Sequence, residues 1–168
     1  NQLKIACAQI LVEDAKYLEN LGRAYHAIKE AKKMNADIVV LPECFDFGWA
    51  YCKAGVITKD KYEYVYNTLA KYALDFGVYI VAGVSEVDGD TLYNSALTFD
   101  GIGNLVNKHR KINLLTGIED HYEVGDSVSV FNSKWGKIGV NICADNIENS
   151  LCIAHTQARM KARLILSP

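Results

Sequence analysis

The chain has 168 residues, half of them apolar and 23% charged, which is enough to bury one substantial core and points to a single domain. A formal charge of -2 and a pI near 6.1, with Lys and Arg scattered rather than clustered into a basic stripe, argue against nucleic acid or an anionic membrane as partner. No apolar stretch approaches bilayer-spanning length and no secretory leader precedes the first strand pattern, so the expected location is cytoplasmic.

Residues 3–10 are apolar with alternation at Ala6, Ala8 and Ile10, and read as a strand. Asp14 then offers a helix N-cap, and Leu18, Leu21, Tyr25 and Ile28 recur at helical spacing, predicting a helix that ends near Asn35 and packs one face on a sheet. The β-branched run 37–41 stops at Pro42, as a buried parallel strand does, with Glu43 just beyond its end.

Residues 60–75 predict a second amphipathic helix closed by Gly77, and 78–84 a third strand, giving the order β-α-β-α-β. The pattern then changes: 91–99 and 102–107 read as an antiparallel pair around the turn Asp100-Gly101. A further pair is expected at 127–131 and 137–142, then a helix over about 147–161 and a last strand at 164–166. Strands buried on both faces with helices packed over them predict a layered α/β fold.

The five cysteines are Cys7, Cys44, Cys52, Cys143 and Cys152, an odd number without a CxxC pair or zinc-like spacing, and are read as reduced thiols. Cys7, Cys44 and Cys152 are expected to pack as small apolar residues. Cys143 differs because of what can accompany it. Three segments each put a reactive side chain just past a strand: Leu41-Pro42-Glu43, Arg110-Lys111-Ile112-Asn113-Leu114, and Gly139 through Cys143 to Asp145. A thiol becomes a useful nucleophile when a base or positive charge favours its thiolate, and Glu43 with Lys111 supplies both. Trp49 and Tyr51 follow the glutamate in a loop, placed either to line a pocket or to pack beneath it.

In this order the three segments resemble the glutamate, lysine and nucleophile motifs of the nitrilase or carbon-nitrogen hydrolase superfamily, nearest to its amidase-like members. The pair Ile118-Glu119 stands eight residues after Lys111, at the offset of a second glutamate in those members. The resemblance implies a four-layer α-β-β-α sandwich. It also implies a cofactor-free hydrolase that uses Glu43 as base, Lys111 to stabilise the oxyanion, Cys143 as nucleophile and Glu119 as support. The substrate would be a small amide, carbamoyl compound or nitrile, and the assembly a homo-oligomer.

Two departures stand out: Ala144 follows the cysteine where many relatives carry an aromatic residue, and Asn113 occupies the usual histidine position after the lysine. The family fold continues beyond the last strand seen here, so a C-terminally truncated version of it is expected. Two other readings stay open on the residues alone: an inactive relative serving as a binding or assembly module, and an acyltransferase that uses the same thioester.

Overall fold

In the computed structural model, residues 2–51, 55–147 and 152–168 are described. The first sheet has five strands in the order β1 (Ile5–Cys7), β2 (Ile38–Val40), β3 (Tyr79–Asp88), β4 (Thr91–Phe99) and β5 (Leu105–Arg110). The first two pairings are parallel and the next two antiparallel, so the change of character past residue 90 is a change of strand direction. The second sheet holds β6 (Val130–Ser133), β7 (Gly136–Val140) and β8 (Leu164–Leu166), with β6 antiparallel and β8 parallel to β7.

Helices α1 (Tyr17–Lys33) and α2 (Lys59–Phe76) cover the outer face of the first sheet. There Leu21, Ala24, Ile28, Val65, Leu69 and Ala73 pack on residues such as Val39, Ile80, Ala82 and Leu97. The opposite face meets the second sheet, where Ile38, Val40, Val81 and Ala96 pack against Phe131, Ile138, Val140 and Leu166. Helix α3 (Cys152–Arg159) lies over β7 on the far side: a Cβ at Gly139 would sit 2.8 Å from the Gln157 side chain, so glycine permits the approach. The result is the four-layer α-β-β-α sandwich, each helix layer burying one stripe on a sheet.

Several local expectations shift. Asp14 is not the N-cap. Helix α1 starts at Tyr17 after Lys16, and its entry is fixed instead by Asn20, whose side chain accepts from the Glu13 N–H (3.0 Å) and donates to the Glu13 carbonyl (2.8 Å). Leu18 is 52% exposed, and the buried stripe runs through Leu21, Ala24, Ile28 and Ala31, where two alanines let the helix sit close to the sheet.

Strand β3 continues four residues past Val84 because Ser85 and Glu86, which end the apolar run, are buried with polar partners. Strand β5 starts at Leu105 because Asp100 Oδ1 accepts from the Ile102 and Asn104 N–H groups, and this turn consumes residues 100–104. Part of the expected last helix, residues 148–151, and Cys52 lie outside the described residues.

Cys44 is buried as expected, but Cys7 and Cys152 are exposed. Cys7 lies on β1, an edge strand of the described sheet, and Cys152 opens a helix that packs through Ile153 and Gln157 instead. No helix among the described residues is long and apolar enough to cross a membrane.

Candidate active site

The glutamate comes first in the chain and is held by backbone. After β2 the segment stays against β3: the Leu41 N–H donates to the Val81 carbonyl (2.8 Å) and the Phe45 N–H to the Gly83 carbonyl (3.0 Å). A Cβ at Gly83 would lie 2.5 Å from Glu43 Cα and 2.7 Å from the Pro42 oxygen, so only glycine lets the chain pass this close. Below Glu43, the buried Asp46 carboxylate accepts from the N–H groups of Ser85 and Phe47 and locks the turn. Burial pushes its pKa up to about 6 despite those bonds.

Alternation along β5 sorts the basic cluster at 108–111. Lys108 and Arg110 point to the helix side and pair with the buried Glu86, at 2.6 Å and 2.7 Å. His109 is paired in register with Ala96, which faces the second sheet, so His109 and Lys111 share that inner face.

The Lys111 ammonium is fully buried, 2.8 Å from Glu43 Oε1 and 2.8 and 2.9 Å from the two Glu119 oxygens. Asn94 on β4 donates to both carboxylates, 2.7 Å to Glu43 and 2.9 Å to Glu119. Glu119 also accepts from the Trp49 indole N–H (3.0 Å) and the Leu115 N–H (2.8 Å). Burial pushes the Glu119 carboxyl up, but the Lys111, Leu115 and Asn94 donors more than offset it and hold it below the ordinary range. Burial likewise disfavours the Lys111 ammonium, and the two carboxylates overcome that and raise it. Both groups are therefore ionised at neutral pH.

Cys143 follows β7, at the start of a 3-10 helix spanning Cys143–Asn146. Its φ of +38° is in the left-handed region, a sparsely populated setting for a non-glycine residue and one that recurs at functional sites. Burial first, then the Glu43 charge, raise the pKa of its thiol, with Lys111 acting in the other direction.

Of the four residues expected from sequence, Glu43, Lys111 and Glu119 are joined by direct contacts, and Cys143 lies near enough for all three charges to act on its thiol. Trp49 does more than pack, since its indole N–H holds Glu119. Tyr51 is half-buried, its N–H donating to the Gly48 carbonyl at 3.3 Å. Asn94, the bridge between the carboxylates, carries no signal in the sequence, because an isolated Asn within a strand pattern is unremarkable until its register is known. Beside Glu119 a cleft of about 470 Å³ opens, lined in part by Asn113, Thr116, Glu119, Tyr122, Ala144 and Ile147. Among the described residues, no cluster of three or more His, Cys, Asp or Glu side chains could hold a metal ion.

A four-layer sandwich with a buried carboxylate-ammonium cluster near a thiol defines a class, that of layered α/β proteins with a cysteine-containing polar site. Comparison with known proteins makes it specific: residues 4–167 match the carbon-nitrogen hydrolase family, to which this chain belongs. It is 38% identical over 148 residues to a nitrilase of Pyrococcus abyssi, covering 85% of this chain and 56% of that one. It is 36% identical over 158 residues to an omega-amidase of Xenopus tropicalis, covering 86% of this chain and 55% of that one. The chain therefore spans about half the length of these relatives.

Among solved structures, the amidase from Nesterenkonia sp. AN1, in a mutant with acrylamide added at its active-site cysteine, superposes with a TM-score of 0.89. At 20% identity, with 99% of this chain and 66% of that one covered, this likeness speaks to the fold. Saccharomyces cerevisiae Nit3, a nitrilase-superfamily member, superposes with a TM-score of 0.81 at 27% identity, covering 99% of this chain and 64% of that one.

Proposed function

We propose that this chain carries the reactive centre of a hydrolase that cleaves a small primary amide through a cysteine thioester. The observation that supports it most is the shared position of Glu43, whose carboxylate contacts Lys111 at 2.8 Å and lies close enough to Cys143 for its charge to raise the thiol. Because burial and Glu43 raise the thiol pKa, Cys143 is neutral at pH 7 and must lose its proton as it attacks. Glu43 is the base within reach.

The thiolate attacks the amide carbon, forming the C–S bond and a tetrahedral oxyanion. The Lys111 ammonium and the Ala144 N–H stabilise that oxygen, and such donors are typically worth about 10²-fold or more in rate. Glu43 returns the proton to the nitrogen, the C–N bond breaks and ammonia leaves. Glu43 then takes a proton from water, which attacks the thioester, releasing the carboxylate and restoring the thiol. Glu119 holds Lys111 in place and does not exchange protons, since its oxygens accept five hydrogen bonds from four donor groups.

The omega-amidase relatives support an amide as substrate class, and the nitrilase relative makes a nitrile the alternative to include in the assay. The test is Cys143→Ala, assayed for ammonia release from a panel of small amides and nitriles with circular dichroism as the fold control. Loss of turnover with the fold intact is expected, and retained turnover removes Cys143 as nucleophile.

A further inference from the structure

The catalytic scheme requires the nucleophile, borne by the second sheet, to keep a fixed distance from the ammonium, borne by the first. Packing of apolar side chains between sheets sets that distance only loosely, whereas a buried charged hydrogen-bond network has far steeper geometry. One carboxylate makes such a connection. Asp145 is fully buried two residues after Cys143, and its Oδ2 contacts His109 Nε2 at 2.7 Å and accepts from the Ile142 N–H at 3.1 Å. Its Oδ1 accepts from the Asn113 N–H and the Asn113 side-chain amide, both at 3.0 Å, and from the Ile112 N–H at 3.3 Å.

The partners are placed symmetrically. His109 and Asn113 stand two residues before and two residues after Lys111, so the lysine is gripped on both sides by the residue that also closes the nucleophile turn. Within that turn the Asp145 N–H donates back to the Ile142 carbonyl at 2.8 Å. Burial pushes the Asp145 carboxyl up, and the His109 and Asn113 donors outweigh this and hold it below the usual range, so the strut carries its charge.

We propose that Asp145 is a positioning residue that, through His109 and Asn113, fixes the Cys143 sulfur relative to Lys111 and Glu43. The proposal deepens the hydrolase reading above and rests on it for its kinetic arm, though not for its chemical one. If the strut is cut, the turn relaxes and the thiol moves away from the groups that face it, Glu43, Lys111 and Glu119.

The test uses Asp145→Asn in the full chain, which keeps the size and removes the charge together with either the acceptor shared by His109 and the Ile142 N–H or the one shared by Asn113 and the Ile112 N–H. Three quantities are measured: thermal midpoint, the pH midpoint of Cys143 alkylation by iodoacetamide, followed by mass spectrometry of the Cys143 peptide, and kcat and KM for propionamide. The expected result in folded protein is an alkylation midpoint shifted down toward that of an ordinary thiol and kcat reduced about 10²-fold, with KM little changed.

A lowered thermal midpoint with unchanged alkylation midpoint and kcat overturns the proposal, because Asp145 then only stabilises the turn. Should Asp145→Asn not fold, Asn113→Ala, on a half-buried loop, removes one of the contacts and is expected to shift the alkylation midpoint the same way by less; no shift there overturns it as well. If wild-type protein turns over no amide, the hydrolase reading fails while the alkylation arm still decides the strut.

Discussion

Lys111 and Glu119 are joined by two contacts, 2.8 and 2.9 Å long, and both side chains are wholly buried. A buried ion pair this closely satisfied is a poor source of net stability but a strong constraint on position, since either partner left alone is costly. The pair also divides the labour of the two glutamates. Glu119 is saturated by donors, while Glu43 shares Lys111 and Asn94 and its charge still acts on the thiol.

Glu119→Gln is accordingly expected to reduce amide turnover about 10²-fold by loosening Lys111, and to destabilise the fold by about 3 kcal/mol. The stability difference from wild type should depend on pH with a defined sign. Glu119 is lowered in the fold, so its contribution is full above its unfolded value of about 4.3 and fades as pH falls through the folded value. Lys111 is raised, so its contribution is full below about 10.4 and fades as pH rises through the folded value. Urea unfolding of both proteins from pH 3 to 10 checks this, with the gap widest between about pH 5 and 10 and closing on the acid side.

Glu43→Gln separates base from neighbour. The Glu43 charge raises the Cys143 thiol, so its removal is expected to lower the pH midpoint of Cys143 alkylation while abolishing ammonia release. A thiol that becomes easier to ionise and an enzyme that becomes inactive is the signature of a lost general base. An unchanged midpoint would mean that the carboxylate does not face the thiol in solution.

The layered α/β order and the candidates Glu43, Lys111 and Cys143 were legible because each leaves a local mark, whereas the four-layer sandwich and Glu119 rested on the family resemblance. Strands buried on both faces give unbroken apolar runs, Pro42 marks where β2 stops, and the reactive residues fall just past strand ends. Asn94, Trp49 and the His109-Asp145 contact were not legible, because their meaning depends on register and on a crossing between sheets. Asp145 lies inside the nucleophile segment, yet nothing local shows that it reaches residues more than thirty positions earlier. The ends of elements moved wherever a polar side chain replaced a backbone rule, as Asn20 did at the start of α1 and Asp100 before β5.

Asp46 gives a pH prediction of the opposite sign to Glu119. Its folded pKa is raised to about 6 by burial, so its contribution is fully present below the unfolded value of about 3.9 and is lost as pH rises through about 6. Asp46→Asn removes the titration, and Oδ1 of the amide can still accept from the Ser85 and Phe47 N–H groups. Between pH 4 and 7 the wild type should lose on the order of 3 kcal/mol relative to the variant, read from denaturant midpoints across that range. Parallel curves for the two proteins would show that Asp46 is not desolvated as the structure has it.

Gly83→Ala tests the way the glutamate is carried. The added Cβ would fall 2.5 Å from Glu43 Cα, 2.7 Å from the Pro42 oxygen and 2.9 Å from the Cys44 nitrogen, all backbone atoms that cannot rotate away. Gly83 itself is in an ordinary strand conformation, so the penalty comes from contact rather than from backbone torsion. Separating the 42–44 segment from β3 would strain the Phe45-to-Gly83 hydrogen bond of 3.0 Å and draw the Glu43 carboxylate away from Lys111 and the thiol. The expected cost in stability is about 1–3 kcal/mol, typical of overpacking. Turnover should fall by more than that loss accounts for, about 10²-fold at temperatures where the variant is fully folded, because a displacement of about 1 Å in a reacting group has that effect. A variant with normal stability and normal ammonia release would show that the close approach at Gly83 does not set the position of the glutamate.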